Sequence, residues 1–402
     1  MTMTKTIPFL AILCSLAGLE SPLSAQSTIK LERLHKRFPS ADLDGNGILT
    51  EAEAEGFRRA NQQGNRNERS SRGNAPRIFP VNPGWNQERF PEHAVSHRSP
   101  EEIRSIYAKQ VGERKAVVSY EKPTDGALRI VGTGHSFMGP GYRTFPLMCQ
   151  AAGFTQPLYT HTGGGMTGST RYKWEQENGI FDFDGSPEPK LLASIANAEW
   201  EAMMWGPYFH DRPEYYSCWI EFCQKYNPEM KFYLSDAWPQ LYQLGFIPES
   251  EDFFTEAIIE KLGQDRTAEY NALVEELRAK HTPEVYILPT SDAMVLAAKY
   301  YLRGELPGIE GFHRFIGGKD RSLWRDKLGH LGPGFDRLEG YVFYATLYGR
   351  SPELINQTIE FKDQGDFPSP ALDRQFRKIA WQAVIGNPLS GVQDDNGDGV
   401  AD

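Results

Sequence analysis

The chain is poor in cysteine, in long apolar runs and in clustered positive charge. It has 4 cysteines in 402 residues, so a disulfide framework does not hold it together. No apolar stretch reaches the roughly 20 residues that a membrane-spanning helix needs, so we expect no membrane span. With a net charge of −10 and no long Lys/Arg run, neither nucleic acid nor an anionic membrane is the expected partner. A hydrophobic content of 40% with 12% aromatics instead predicts a packed globular body.

Residues 1–25 have the pattern of a secretory signal peptide. Lys5 precedes an apolar run at 7–19, and the small residues Ser24 and Ala25 follow. We therefore predict cleavage after about Ala25 and a secreted or periplasmic protein.

Cys14 lies in the predicted signal peptide and is removed with it. Of the cysteines that remain, Cys218 and Cys223 lie on different faces of a predicted helix, so we expect no bond between them.

Residues 42–53 match a calcium-binding EF-hand loop, and residues 26–60 supply a short helical pattern on either side of it. Oxygen donors occupy positions 1, 3, 5, 9 and 12, glycine position 6 and an apolar residue position 8. The predicted Ca²⁺ ligands are Asp42, Asp44, Asn46, the Ile48 carbonyl, Thr50 through a water, and Glu53. The alternative is a helix-capping loop, since Thr50 and Glu53 also satisfy a capping box, but capping explains only those two positions.

Two further segments are polar. Residues 61–77 are rich in Gly, Asn and Arg, and a stretch with scattered prolines follows to about residue 100, so 61–100 is predicted to be a linker.

At the other end, residues 391–402 form an acidic tail. Asp394, Asn396 and Asp398 repeat positions 1, 3 and 5 of an EF-hand loop, which predicts a weak second calcium site. A solvated acidic tail is the alternative.

Residues 101–390 alternate short apolar runs with helical patterns. Strands are predicted at 127–131, 156–160, 199–205, 230–235 and 284–289, and helices at 142–152, 212–226, 253–280, 291–303, 335–348 and 372–385. This alternation predicts an α/β fold, a flavodoxin-like parallel sheet with helices on both faces. Ligands of such sheets bind beyond the carboxyl ends of the strands, so the residues that follow each run are the functional candidates.

Four of these strand ends carry candidate residues. Ser136 lies in a small-residue turn after the first strand, where a serine can act as a nucleophile or simply cap the next helix. Glycines 163–165 follow the second strand and would let backbone N–H groups approach a ligand closely. Trp205, Tyr208 and Trp238 follow later strands and could line a cleft or belong to the core.

The order of these blocks resembles the SGNH (GDSL-like) hydrolase superfamily. The resemblance rests on Gly134-His135-Ser136, on the glycine block and on the late Asp326…His330-Leu331 before the last long helices. It implies a flavodoxin-like sheet with Ser136 as nucleophile, His330 as base and Asp326 as its partner. It also implies that the amides of Ser136 and of Gly164 or Gly165 stabilise the oxyanion.

The chain departs from this family at three points. His135 replaces the usual aspartate, and three residues instead of two separate Asp326 from His330. The segment from Trp205 to Tyr208 stands where the family has an oxyanion asparagine.

The sequence thus predicts a secreted, calcium-binding serine esterase that removes O-acyl groups from a carbohydrate or a similar substrate. The missing asparagine favours the alternative, a catalytically inactive calcium-dependent module that binds carbohydrate or protein. A zinc hydrolase built from His135, His161, His210 and Asp211 is less favoured, because no spacing among them matches a known ligand motif.

Overall fold

A computed structural model describes residues 48–50, 122–162, 172, 191–207, 212–359 and 367–402. The chain divides into two units, Met1–Ile78 and Phe79–Asp402, and only residues 48–50 of the first are described. The predicted signal peptide and linker lie outside the described residues. So does the predicted EF-hand, apart from Ile48, Leu49 and Thr50 of its loop.

The second unit is built on a five-stranded parallel sheet. Its strands are β1 (Ile130–Gly134), β2 (Leu158–Thr162), β3 (Ala202–Trp205), β4 (Lys231–Ser235) and β5 (Val285–Leu288), in the order β2-β1-β3-β4-β5. This order is the one found in flavodoxin-like sheets. The predicted α/β fold with a parallel sheet is therefore confirmed, and the structure is compatible with its flavodoxin-like form. Each predicted strand is present, with its start displaced by up to three residues.

Helices connect the strands and continue the chain after them. They are α1 (Gly139–Ala151), α2 (Leu191–Asn197), α3 (Glu214–Tyr226), α4 (Glu256–Lys280), α5 (Thr290–Leu302), the short α6 (Arg314–Gly317), α7 (Phe335–Tyr348) and α8 (Pro370–Gly386). Single 3₁₀ turns occur at Leu241–Leu244, Glu251–Phe253 and Pro352–Leu354. None of the helices in the described ranges is both long and apolar enough to traverse a bilayer.

Both faces of the sheet are buried, which explains the nearly continuous apolar strands. Successive side chains of a strand point to opposite faces, and Ile130 and Val131 accordingly belong to two different apolar clusters, as do Met203 and Met204. Helices α1, α5, α7 and α8 pack in the first cluster, α2 and α3 in the second, and α4 contributes to both. The cysteines Cys149, Cys218 and Cys223 are free and buried within these clusters, and no bond joins Cys218 to Cys223.

A second, two-stranded parallel sheet was not predicted. It consists of β6 (Gly311–His313) and β7 (Ser322–Trp324). Strands of three residues carry too little periodic pattern to be recognised in a sequence. After β7 the chain turns back, and Trp324 forms an antiparallel bridge with Leu331. The segment between these two residues contains both Asp326 and His330.

The acidic tail is fastened to the body of the second unit by backbone hydrogen bonds. The Ser351 amide donates to the Gly399 carbonyl at 2.7 Å, and Val400 bridges to Arg350. The side chain of Asn396 accepts the Asp398 amide, and that of Asp398 accepts the Val400 amide. In the described ranges no group of three or more His, Cys, Asp and Glu residues could hold a metal ion. The second calcium site at Asp394, Asn396 and Asp398 stays a prediction.

Candidate active site

Ser136 lies at the carboxyl edge of the sheet, in the turn between β1 and α1. The Met138 amide donates to the His135 carbonyl at 3.0 Å and closes this turn. Gly134 ends the strand with φ 141°, and a Cβ there would lie 2.7 Å from Met138 Cγ and 2.9 Å from the Gly206 oxygen. A glycine is therefore needed at this position. The turn leaves Ser136 exposed to solvent, where a substrate can reach it.

The structure brings the three residues of the predicted triad together. His330 Nε2 lies 2.8 Å from Ser136 Oγ, although 194 positions separate the two residues in the chain. On its other side, His330 Nδ1 lies 2.8 Å from Asp326 Oδ2 and 3.0 Å from Asp326 Oδ1. The imidazole is largely buried, with 16% of the side chain exposed. Within the described chain the Ser136 hydroxyl has His330 as its single hydrogen-bonding partner.

A tight turn fixes Asp326 beside His330. Asp326 Oδ1 accepts the amide N–H groups of Leu328 and His330, at 3.1 and 3.2 Å. The Gly329 amide donates to the Asp326 carbonyl, and Gly329 has φ 83°, which suits glycine. Because the backbone folds back here, the extra residue between Asp326 and His330 does not turn the carboxylate away from the imidazole.

Asp326 is held in its ionised form. Partial burial of the carboxyl opposes ionisation, but the hydrogen bond from the His330 amide, the His330 imidazole and the Arg325 charge together lower the pKa of Asp326. Arg325 Nε lies 3.5 Å from Asp326 Oδ2. A negative charge is thus available to stabilise a positive imidazole at His330.

Phe137 and Trp238 support the histidine from the protein interior. The Phe137 ring packs edge-on against His330 with centroids 5.1 Å apart, and against Trp238 at 4.8 Å. Trp238 Nε1 donates a hydrogen bond to the Gly329 carbonyl, inside the turn that carries Asp326 and His330. Sequence reasoning missed this supporting role, because no pattern near Trp238 refers to a segment about 90 residues later.

Two of the three aromatic residues considered as cleft residues are in the core. Trp205 and Trp238 are each 0% exposed, so of the two alternatives given above, lining a cleft or belonging to the core, the second holds for both. Trp205 stacks instead on Tyr216, with centroids 5.6 Å apart. Burying these large rings stabilises the fold more than leaving them on the surface would. Tyr208 lies outside the described residues.

The backbone at Ser136 is suited to bind an oxyanion. Its amide N–H makes no hydrogen bond to another described residue. The start of α1, three residues later, adds the positive end of a helix dipole. The other predicted donors, Gly164 and Gly165, lie outside the described residues.

A second serine–histidine pair in the chain shows what distinguishes the first. Ser217 Oγ lies 2.8 Å from His281 Nε2, and His281 Nδ1 lies 3.9 Å from Glu221 Oε1. Ser217 is 1% exposed, however, and its hydroxyl donates to the Pro213 carbonyl. With that proton already donated, His281 Nε2 must be the donor to Ser217. This pair ties α3 to the end of α4 and cannot activate a nucleophile.

The described part of the chain does not test the zinc alternative. His210 and Asp211 lie outside it, and His135 Nδ1 accepts the Phe137 amide N–H. His161 lies within β2, and its side chain is outside the described residues.

No model of a known protein family matches the chain, and no curated protein matches it. Among solved structures, the chain is similar to a DUF4886 family protein from Bacteroides uniformis, with 11% sequence identity and a TM-score of 0.44. That match covers 64% of this chain and 95% of the other.

Proposed function

We propose that this protein is a serine hydrolase, a secreted calcium-binding esterase that removes O-acyl groups from a carbohydrate or similar substrate. One observation carries the proposal: an exposed serine, a largely buried histidine and an ionised aspartate form a continuous hydrogen-bonded chain at the carboxyl edge of a parallel sheet. Geometry of this kind is the recognised signature of a serine nucleophile with its base.

The chemistry follows from the placement of each group. Ser136 Oγ attacks the acyl carbonyl while His330 Nε2 takes its proton, and Asp326 stabilises the resulting imidazolium. The Ser136 amide donates to the oxyanion. His330 then protonates the leaving alcohol, which leaves an acyl-enzyme at Ser136. A water molecule, deprotonated by His330, attacks the ester and releases the acid.

The oxyanion site differs from that of the SGNH family. Pro207 stands in the segment where the family places an asparagine donor, and proline has no amide N–H to offer. The loss of one donor typically lowers the rate by about 10² to 10³. We therefore expect a slow esterase unless the glycine block supplies a further donor.

The carbohydrate part of the proposal rests on the predicted export and on the family resemblance. The buried tryptophans Trp205 and Trp238 give it no support. The second candidate is a calcium-dependent binding module that has lost catalysis, and the absence of the asparagine donor favours it.

A fluorophosphonate probe and p-nitrophenyl acetate hydrolysis separate the two candidates. We expect the wild type to be labelled at Ser136 and to hydrolyse the ester, and Ser136→Ala and His330→Ala to lose both properties. Ser217→Ala is the matched control, because it removes the serine of the buried pair and should keep full labelling. A wild type that is neither labelled nor active would favour the binding module.

Calcium binding has its own test. Calorimetric titration of the wild type with Ca²⁺ should show one strong site, and Glu53→Ala should weaken it greatly, because the residue at position 12 supplies two ligand oxygens. Thr50→Ala should weaken it less, since its contact runs through a water. Unchanged affinity in the Glu53 variant would place the site elsewhere.

A further inference from the structure

The nucleophile and the base each precede one of two helices that pack against each other. Helix α1 begins at Gly139, three residues after Ser136, and α7 begins at Phe335, five residues after His330. Each reacting side chain is therefore joined by a short connection to the first turn of a helix. The distance between Ser136 Oγ and His330 Nε2 consequently depends on how the first turns of α1 and α7 are held relative to each other.

Helices α1 and α7 approach each other closely at two glycines. A Cβ at Gly141 of α1 would lie 2.3 Å from Phe343 Cε2, and a Cβ at Gly340 of α7 would lie 2.3 Å from Thr144 Oγ1. Thr144 Oγ1 also hydrogen-bonds to the Asp336 carbonyl of α7, at 2.7 Å. A side chain at either glycine would therefore push the two helices apart.

The first turn of α1 receives its cap from α7. Met138 occupies the N-cap position, and its side chain makes no capping hydrogen bond. Pro140 has no amide N–H. The Gly141 amide donates to Glu339 Oε2 of α7, at 2.8 Å in a buried contact. A residue of the helix that follows the base thus caps the helix that follows the nucleophile.

Stability alone does not account for a carboxyl at this position. Glu339 is 3% exposed, and its Oε1 has no hydrogen-bonding partner among the described residues. Burying a polar atom without a partner costs free energy that an apolar side chain would not cost. Burial raises the pKa of Glu339 well above its usual value, Asp336 adds to this, and the Gly141 hydrogen bond and Arg143 oppose it. The neutral form is therefore favoured, and it places no negative charge near the oxyanion at Ser136.

We propose that Glu339 is a positioning residue, whose hydrogen bond to Gly141 holds the first turn of α1 against α7 and thereby fixes the distance between Ser136 Oγ and His330 Nε2. The inference rests on the proposed function. Two backbone hydrogen bonds carry a shift of Gly141 to the nucleophile. The Tyr142 amide donates to the Met138 carbonyl, and the Met138 amide donates to the carbonyl of the residue before Ser136. A displacement of about 1 Å at a reacting atom can lower the rate about 10²-fold.

Two substitutions separate the hydrogen bond of Glu339 from the bulk of its side chain. Glu339→Met has a similar length but offers no oxygen to the Gly141 amide, whereas Glu339→Gln keeps an oxygen acceptor and is neutral. We expect the Met variant to lose about 10- to 100-fold in kcat for p-nitrophenyl acetate, with KM within about threefold of the wild type. The Gln variant should keep kcat within about twofold. Unchanged kcat in a folded Met variant, or a Gln variant as slow as the Met variant, would overturn the proposal.

Thr346→Val is the matched control on the same helix. Thr346 is 4% exposed and its hydroxyl donates to the Val342 carbonyl at 2.8 Å, so this change also removes one buried hydrogen bond. It should lower stability and leave kcat unchanged. An equal loss of kcat in Thr346→Val and Glu339→Met would make the role of Glu339 merely structural and overturn the proposal. If Glu339→Met does not fold, Glu339→Asp replaces it with the same expected loss, because its carboxyl is one methylene farther from Gly141.

Crystal structures of the variants need no substrate and separate this proposal from the esterase proposal. The distance between Ser136 Oγ and His330 Nε2 should lengthen from 2.8 Å to more than about 3.5 Å in Glu339→Met, and should stay within hydrogen-bonding range in Glu339→Gln and Thr346→Val. If the wild type proves inactive but the distances follow this pattern, the esterase proposal fails and the positioning role stands. An unchanged distance in Glu339→Met overturns the positioning role whatever the activity.

Discussion

Replacing Asp326 by asparagine should damage catalysis by a mechanism that the geometry specifies. Asp326 Oδ1 accepts two turn amides, from Leu328 and His330, while Oδ2 faces His330 Nδ1 at 2.8 Å. An asparagine has only one side-chain oxygen, and the amides of Leu328 and His330 keep it as their acceptor. Its NH₂ group must then face Nδ1 and donate to it. The histidine proton moves to Nε2, where it blocks transfer of the proton from Ser136.

The magnitude has two parts. Two unit charges about 4 Å apart interact by about 4 kcal/mol at an effective dielectric constant of about 20. The Asp326 side chain is 41% exposed, so solvent screening reduces this to about 2 kcal/mol, or about 30-fold in rate. The wrong tautomer of His330 lowers kcat further, and for a triad of this type the total loss of kcat reaches about 10⁴-fold. We expect kcat of Asp326→Asn to fall by about 10³ to 10⁴ with KM little changed.

Asp326→Ala provides the comparison. It removes the charge but does not force a tautomer, so its loss of kcat should be smaller than that of the asparagine variant. The assay is p-nitrophenyl acetate hydrolysis, corrected for the folded fraction by near-ultraviolet circular dichroism. A loss below about tenfold in the asparagine variant, or a folded alanine variant slower than the asparagine variant, would refute the tautomer argument.

Three further predictions concern stability and reactivity. Burial lowers the pKa of three histidines from 6.5 to about 4, namely His135, His281 and His313. As the pH falls, the unfolded chain takes up these protons at a higher pH than the folded chain does. The free energy of unfolding should therefore keep its full value above about pH 6.5 and decrease as the pH drops toward 4, by up to about 3 kcal/mol for His135. A flat series of urea midpoints across that window would contradict this. Burial also raises the pKa of the thiols Cys149, Cys218 and Cys223. Ellman's reagent should therefore modify them only after unfolding, and rapid labelling of the native protein would disprove their burial. Gly134→Ala should lower stability by roughly 1–3 kcal/mol and slow fluorophosphonate labelling, because its Cβ meets Met138 and Gly206; wild-type behaviour in both assays would argue against the tight turn.

Much of the fold could be predicted from apolar runs and their spacing. The five strands and the helices from α1 to α8, except the short α2 and α6, have counterparts in the sequence prediction, and the bounds of α7 agree at both ends. Long periodic segments repeat their signal many times, whereas β6 and β7 have three residues each. The pairing of Trp324 with Leu331, which shapes the turn of Asp326 and His330, has no local signature.

The candidate site likewise has some features that the sequence predicts and others that it does not. The sequence by itself determined which residues could form a triad, because a small-residue turn after a strand and a late Asp…His segment are local patterns. Tertiary structure alone decided which serine–histidine pair is exposed, since Ser136 and Ser217 both lie 2.8 Å from a histidine and differ in burial and in the use of the hydroxyl proton. It also decided that Trp238 belongs to the core. Burial and contacts between distant segments depend on how helices and strands pack, and one-dimensional spacing carries no record of that packing.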